Sequence, residues 1–377
     1  MQVFTLQKDA LNRNQERMIF AHRKRRKATV WMVLSLGLLT SPAAALDVTL
    51  DKWHVGVFSY LNAQISPDHT HAGMGQNGLS LGETSILTRG NLTSRISLLS
   101  EHSLLPSYYR EDQFKLERLA VRYEINQNHW TEFGKIHTPV NYWNDWFHHG
   151  RLFFPTVDRP IFFSQDFFAI HDIGLRFGGM LSLAGVQYDL FLGSVDDAMS
   201  DGHHMSDDHH MSHSHDAAPS GHGDQIFPDG IQSLNIALTY ERNNWLFRMA
   251  TYLNGIRRDS LSKRGHFVSV HVEDERLRGL TELAATFSPR EPDGRDLRKV
   301  ALYQYLGYKI TDSVTPYLAL DLVSDEKVQG ATDTVSKVIA GISVMPAARV
   351  TLKTQLERHD MDSGAHNALI FQLCVGM

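Results

Sequence analysis

The 377-residue sequence predicts an all-β fold: a transmembrane antiparallel β-barrel of about sixteen strands, with one long loop folded into its lumen. Three observations predict it. From Trp53 onward the chain is cut into segments of roughly ten alternating residues separated by polar or Gly-rich breaks. The breaks alternate between tight and long, in step with the segments. Beyond the N-terminal leader no apolar run reaches the roughly 18 residues of a helical span, which leaves strands, whose alternation hides them from hydropathy.

The leader comes first. His22 to Lys27 (HRKRRK) is basic, Ala28 to Leu39 (ATVWMVLSLGLL) is apolar but too short to span, and Ala43-Ala44-Ala45 has the small-x-small pattern of a cleavage site. Residues 1–45 are therefore read as a secretory signal cleaved near Ala45, with 46–377 as a single barrel. Met18 lies closer to the basic cluster than Met1, which makes 1–17 a candidate start-site artefact. The formal net charge is −5, and it is more negative without the leader, whose Lys and Arg outnumber its Asp and Glu. An acidic chain disfavours nucleic acid as a partner. Cys374 is the single cysteine, so no intrachain disulfide contributes.

Strands are read near 53–65, 79–88, 92–101, 113–125, 129–137, 171–181, 185–194, 230–241, 245–255, 266–273, 277–287, 298–310, 314–324, 333–345, 348–359 and 367–377. Tight turns fall at Arg89-Gly90-Asn91, Asn126-Gln127-Asn128, Leu181 to Ala184, Arg242-Asn243-Asn244, Asp274-Glu275-Arg276, Thr311-Asp312-Ser313 and Pro346-Ala347. Long connections fall at 66–78, 102–112, 138–170, 195–229, 256–265, 289–297, 325–332 and 360–366. Short turns at one end and long loops at the other are the habit of an outer-membrane barrel, and a soluble β-sandwich has no reason to keep that parity. Within strands the faces divide. Leu119, Val121 and Tyr123 oppose Arg118, Ala120, Arg122 and Glu124; Ile173, Leu175 and Phe177 oppose Arg176; Val350 and Leu352 oppose Thr351, Lys353 and Gln355. Leu369, Phe371, Leu373 and Val375 share a face with Met377.

The runs LSLGETSILTRGNLTSRISLLSE, FKLERLAVRYEINQNHWTEFGKIHTPV and FVSVHVEDERLRGLTELAATF resemble Gram-negative outer-membrane porins, including the phosphate-selective type. The resemblance implies a sixteen-strand barrel in the outer membrane, in contact with its lipid, assembled as a homotrimer and passing small hydrophilic solutes without a required cofactor. The chain departs from that pattern by ending in Met377, where an aromatic is usual, and by its histidine-rich segment.

Three sets of residues carry the functional expectations. Strand parity puts Arg95, Arg118, Arg122, Arg176, Arg248, Arg278 and Lys353 on the lumen face with Glu124, Glu282, Asp321 and Glu357, where fixed guanidinium charge would concentrate anions. The alternative is a wall of Arg–carboxylate pairs that keeps a wide interior hydrated and rigid. The segment 138–170 is read as the constriction loop, with Asn141, Tyr142, Asn144, Asp145, His148, His149, Arg151, Asp158 and Arg159 among its aromatics. Against this stands an external loop anchored by Trp143, Trp146 and Phe147. The external loop 195–229 gathers His203, His204, His209, His210, His213, His215 and His222 among aspartates, a composition that binds zinc, copper or nickel in several ways; a solvated spacer is the plainer reading.

No G-x-S-x-G, H-E-x-x-H or phosphate-cradling glycine loop occurs, and no enzyme is expected. A barrel lipid hydrolase would need Ser and His on neighbouring lipid-facing positions, and no such pair is identified. A metal-capturing surface protein without a useful pore is the stronger rival, separated from a porin by whether the protein conducts ions.

Overall fold

In the computed structural model the chain closes into one antiparallel barrel of sixteen strands, each paired with its neighbours in sequence and the first with the last. The structure describes residues 53–66, 77–106, 114–147, 151–181, 185–194, 231–255, 263–289, 296–326, 332–361 and 364–377. The strands are β1 (Trp53–Ile65), β2 (Gly78–Asn91), β3 (Ile96–Leu104), β4 (Phe114–Glu124), β5 (His129–His137), β6 (His171–Leu181), β7 (Val186–Ser194), β8 (Ser233–Arg242), β9 (Trp245–Asn254), β10 (Lys263–Glu273), β11 (Leu277–Pro289), β12 (Asp296–Tyr308), β13 (Val314–Glu326), β14 (Thr332–Ala347), β15 (Val350–Met361) and β16 (Gly364–Gly376). Closure is made by β16 on β1, from Phe58↔Gly376 to Ile65↔Leu369. Met377 extends the seam through reciprocal backbone hydrogen bonds with Val57.

Alternation explains the wall. Leu119, Val121, Tyr123, Ile236, Leu238, Met249, Leu318, Leu352, Leu356 and Phe371 are exposed, while the residues between them are buried or half-buried. An apolar band outside and a polar inside is the surface a barrel turns to lipid. Tyr123, Tyr240, Trp245 and Tyr308 lie outward near the short-turn ends of their strands, where amphipathic rings suit a membrane interface.

Two turns move relative to the sequence reading. The turn expected at Arg89-Gly90-Asn91 is Leu92 to Arg95: β2 runs through Asn91, Leu92 and Thr93 donate backbone N–H to Ile96 O, and the Thr93 hydroxyl accepts from the N–H of Arg95 and Ile96. A threonine that caps its own turn supplies a stop signal that glycine counting overlooks. The turn expected at Pro346-Ala347 is Ala348-Arg349, because Ala347 still pairs with Val350 and Arg349 takes the left-handed φ of 68°. Pro346 is accommodated inside β14 at a register irregularity, where a missing donor costs no ladder bond. Strand β10, read as 266–273, starts three residues earlier.

Between β5 and β6 the chain turns into the barrel. It forms a short helix α1 (Tyr142–Trp146) and two 3-10 turns, Arg151–Phe153 and Ile161–Ser164. Val140, Tyr142, Trp143, Phe154, Phe162, Phe167 and Phe168 join inward side chains of β8 to β14 in one apolar core. The barrel is thus filled on one side by its own loop.

Candidate pore constriction

The loop hangs on a belt of the wall that only strand register reveals. Going round the barrel, His359, Lys337, Asp321, Tyr303, Glu282, Ser269, Arg248 and Thr239 stand opposite one another on successive strands from β15 to β8. The loop uses five of them. Trp143 N donates to Glu282 at 2.8 Å, Tyr142 N to the Ser269 hydroxyl at 3.0 Å and Ile161 N to Asp321 at 2.7 Å. Thr156 meets the Tyr303 hydroxyl at 3.3 Å, and Arg248 donates to Pro139 O at 2.7 Å. Each contact satisfies an N–H, hydroxyl or carbonyl that irregular backbone would otherwise leave unpaired inside a protein.

The tightest attachment is electrostatic. Asp145 of α1 lies 2.9 Å from Arg248 and 3.3 Å from Arg176, and Asp189 of β7 sits behind them at 2.8 Å from Arg176 and 3.6 Å from Arg248. Two guanidiniums and two carboxylates form one nearly dry cluster. Further along, Arg151 pairs with Asp158 and lies over the Tyr60 ring at 4.4 Å. Burial alone would raise the Asp158 carboxyl, but the charge of Arg151, with Lys337 beyond it, holds it below the usual carboxylate range. Lys353 donates to Arg151 O at 2.6 Å and Thr156 O at 3.1 Å, and Gln355 accepts from Val157 N at 3.0 Å.

Of the other expected loop residues, Asn141 caps α1 by accepting from Asn144 N, and Asn144 donates to Thr138 O and Ile170 O, tying the two roots of the loop together. Tyr142 stacks on His271 with centroids 4.4 Å apart, and burial pushes its hydroxyl well above its ordinary value. Arg159 lies over Phe154 and Phe163, at 5.9 and 5.8 Å. His148 and His149 fall outside the described residues, as do the signal segment and all seven histidines from His203 to His222. Among the described residues no group of three His, Cys, Asp or Glu is placed to hold a metal ion.

The wall residues divide into two kinds. Arg118 pairs with Glu101 at 2.6 Å; Arg122 pairs with Glu132 at 3.4 Å and lies over Trp130 at 3.8 Å; Arg278 pairs with Glu273, which Lys309 also reaches. Glu124 stands half-buried at the end of β4. These lie on the inner face. Arg248, Asp321 and Lys353 are also on it, but the loop covers them to 3, 1 and 2 % exposure, so the expectation that they line open lumen is corrected: they hold the loop. Arg95 is corrected too, since it lies exposed in the β2–β3 turn and not on a strand.

The same shifted turn brings in a residue that strand reading missed. Arg89 belongs to β2, opposite Leu99 of β3, and is exposed on the inner side within electrostatic reach of Arg122, Glu132 and Arg118. It forms no ion pair and no hydrogen bond among the described residues. Arg159 likewise meets rings and forms no ion pair among the described residues. On the wall of β2 to β6, which the loop's apolar core leaves open, Arg89, Arg118 and Arg122 stand with Glu83, Glu101, Glu117, Glu124 and Glu132.

No protein-family model and no curated protein sequence matches the chain. Its fold is nonetheless that of the sixteen-stranded outer-membrane porins. The anion-selective porin from Comamonas acidovorans superposes with a TM-score of 0.60 at 10% identity, over 86% of this chain and 100% of that one. The outer membrane channel DcaP of Acinetobacter baumannii gives 0.56 at 12% identity, over 87% and 99%. The trimer form of OmpT, an outer membrane protein of Vibrio cholerae, gives 0.56 at 11% identity, over 87% and 100%.

Proposed function

We propose that the chain is an outer-membrane porin that lets small hydrophilic solutes diffuse passively and favours anions. The observation that carries the anion preference is Arg89, a guanidinium on the open inner wall that forms no ion pair among the described residues, beside the paired Arg118 and Arg122. An unpaired fixed charge at a narrow, low-dielectric passage raises the local concentration of the opposite sign. The infolded loop supports the pore reading: it packs its apolar side chains against β8 to β14 and, through Leu152, Phe153 and Val157, against β1 and β16, and its apolar core leaves β2 to β6 uncovered. Long loops then face outward from the cell and both chain ends face the periplasm. A homotrimer in outer-membrane lipid is proposed from the trimer form of one structural neighbour.

The test is a planar bilayer under a salt gradient. The protein should conduct with a reversal potential on the anion side, and Arg89→Glu should move it towards cations. Among the described residues Arg89 forms no structural pair, so its replacement leaves the barrel intact. An unshifted reversal potential removes Arg89 from selectivity; absence of conductance favours the metal-capturing surface protein.

A further inference from the structure

On the outer face of β10 to β12, at the end of the long connections, two arginines flank a ring. Register sets Arg264 of β10 opposite Phe287 of β11, and Phe287 opposite Arg298 of β12. Directly opposed side chains on one sheet face are close neighbours, so the three form one row. The row faces outward, because Leu283 on the same face of β11 and Leu306 on the same face of β12 are exposed. Both arginines are exposed, and the Arg264 guanidinium lies 5.4 Å from the centre of the Phe287 ring. Their height decides what they meet. Tyr308 stands outward at the short-turn end of β12, and Arg298 is ten residues away towards the other end of that strand. At about 3.4 Å per residue and a tilt of about 40°, ten residues climb about 26 Å, and the apolar band of a barrel is about 25 Å tall. The row therefore stands at the far edge of the band, where lipid headgroups begin.

The charge of the row is not cancelled. Asp296 pairs with Arg264, while Arg298 forms no ion pair among the described residues, so two guanidiniums share one carboxylate. Other outward cations near the long connections are engaged: Arg358 pairs with Asp360 at 3.1 Å, and Lys135 donates to Leu116 O at 2.6 Å. A guanidinium presents a fork of donors that matches a phosphate group, and an arginine at the edge of the apolar band keeps its charged end among headgroups. Phe287, with Leu283 and Leu302 further into the band on the same face, gives acyl chains a surface directly below that charge. We propose that this row is a docking site for a membrane lipid with an anionic phosphate headgroup, Arg298 and Arg264 holding the phosphate and Phe287 meeting the chains. The inference uses the barrel in its membrane and is independent of what the pore passes.

The experiment is native mass spectrometry of the refolded barrel from micelles that hold dioleoyl phosphatidate and dioleoyl phosphatidylcholine in equal amounts, with circular dichroism establishing the barrel in each variant. The two lipids share their chains, and choline neutralises the phosphate of the second. The wild type should retain phosphatidate over phosphatidylcholine by roughly 5-fold, the scale of one net cation at a membrane surface. Arg264→Gln with Arg298→Gln should bring that ratio towards one. Arg358→Gln, on the same outer face but already paired, should leave it unchanged, and Asp296→Asn, which frees Arg264, should raise it. A wild-type ratio near one overturns the inference, as does a ratio that survives loss of both arginines. Displacement of the lipid by excess inorganic phosphate also overturns it, because the site would then read phosphate without the chains. Loss of an oligomer in the double variant, with its lipid ratio unchanged, would make this face a contact between copies of the chain and end the lipid reading.

Discussion

Asp145→Ala should unlatch the loop. In the wild type this carboxylate bridges Arg248 at 2.9 Å and Arg176 at 3.3 Å, with 12% of its side chain exposed against 3% and 11% for its partners. Its removal leaves two buried guanidiniums sharing Asp189 alone. Breaking a buried charge pair by deleting one partner costs about 3–5 kcal/mol. Because the strand ladder is untouched and the loop's other attachments remain, Ile161 N to Asp321 and Val157 N to Gln355, that cost falls on local opening of α1 and leaves the barrel closed. At 1.4 kcal/mol per factor of ten, even about 3 kcal/mol raises the open population roughly 10²-fold. Single-channel recording reads this directly as flickering between conductance levels, and limited proteolysis reads it as cleavage within 138–170. The double variant Asp145→Ala/Arg248→Ala should flicker less than Asp145→Ala, since it no longer leaves a second cation stranded. A quiet Asp145→Ala channel with wild-type conductance and protease resistance would refute the latch.

Acid should loosen the far end of the same loop. The Asp158 carboxyl is held below its ordinary range by Arg151, so its contribution is complete above the ordinary aspartate pKa near 4 and is lost as pH falls through the depressed value. Channel noise should therefore rise only in strong acid, and Asp158→Asn should be noisy already at neutral pH and flat with acidification. The histidine-rich segment is proposed to bind zinc, copper or nickel reversibly. Calorimetric titration with zinc should show binding at pH 7.5 that weakens at pH 5.5, about one unit below the reference imidazole pKa of about 6.5, and that is lost on deleting residues 201–224; equal binding by both proteins would place the metal elsewhere.

Sequence by itself determined the wall. A period of two with an apolar side and a polar side, repeated between short and long breaks, leaves a closed barrel as the arrangement that satisfies every strand edge in lipid. That logic depends on local residues alone, which is why the faces of Leu116 to Glu124 and of the last strand are legible without any partner. Turn positions were legible where Asn or Asp marks them, as at Asn126 and Asp274, whose side chains accept from the next N–H groups. They were misplaced where a threonine cap or an in-strand proline did the work, and a three-residue error at Thr93 was enough to exchange Arg89 for Arg95 in the lumen.

Only the tertiary structure decided which inward charges face water. Arg122 and Arg248 look alike in a strand pattern, and each is followed by an alternating outward residue. What separates them is register across eight strands, which puts Arg248 on the belt where the loop docks and Arg122 on the wall the loop leaves open. The pairing of Asp145 with arginines 31 and 103 residues away in sequence has no local signature, because charge pairing is set by distance in space and the loop's path is set by its rings. The sequence carries the parts of a constriction; the lateral order of the barrel assigns them.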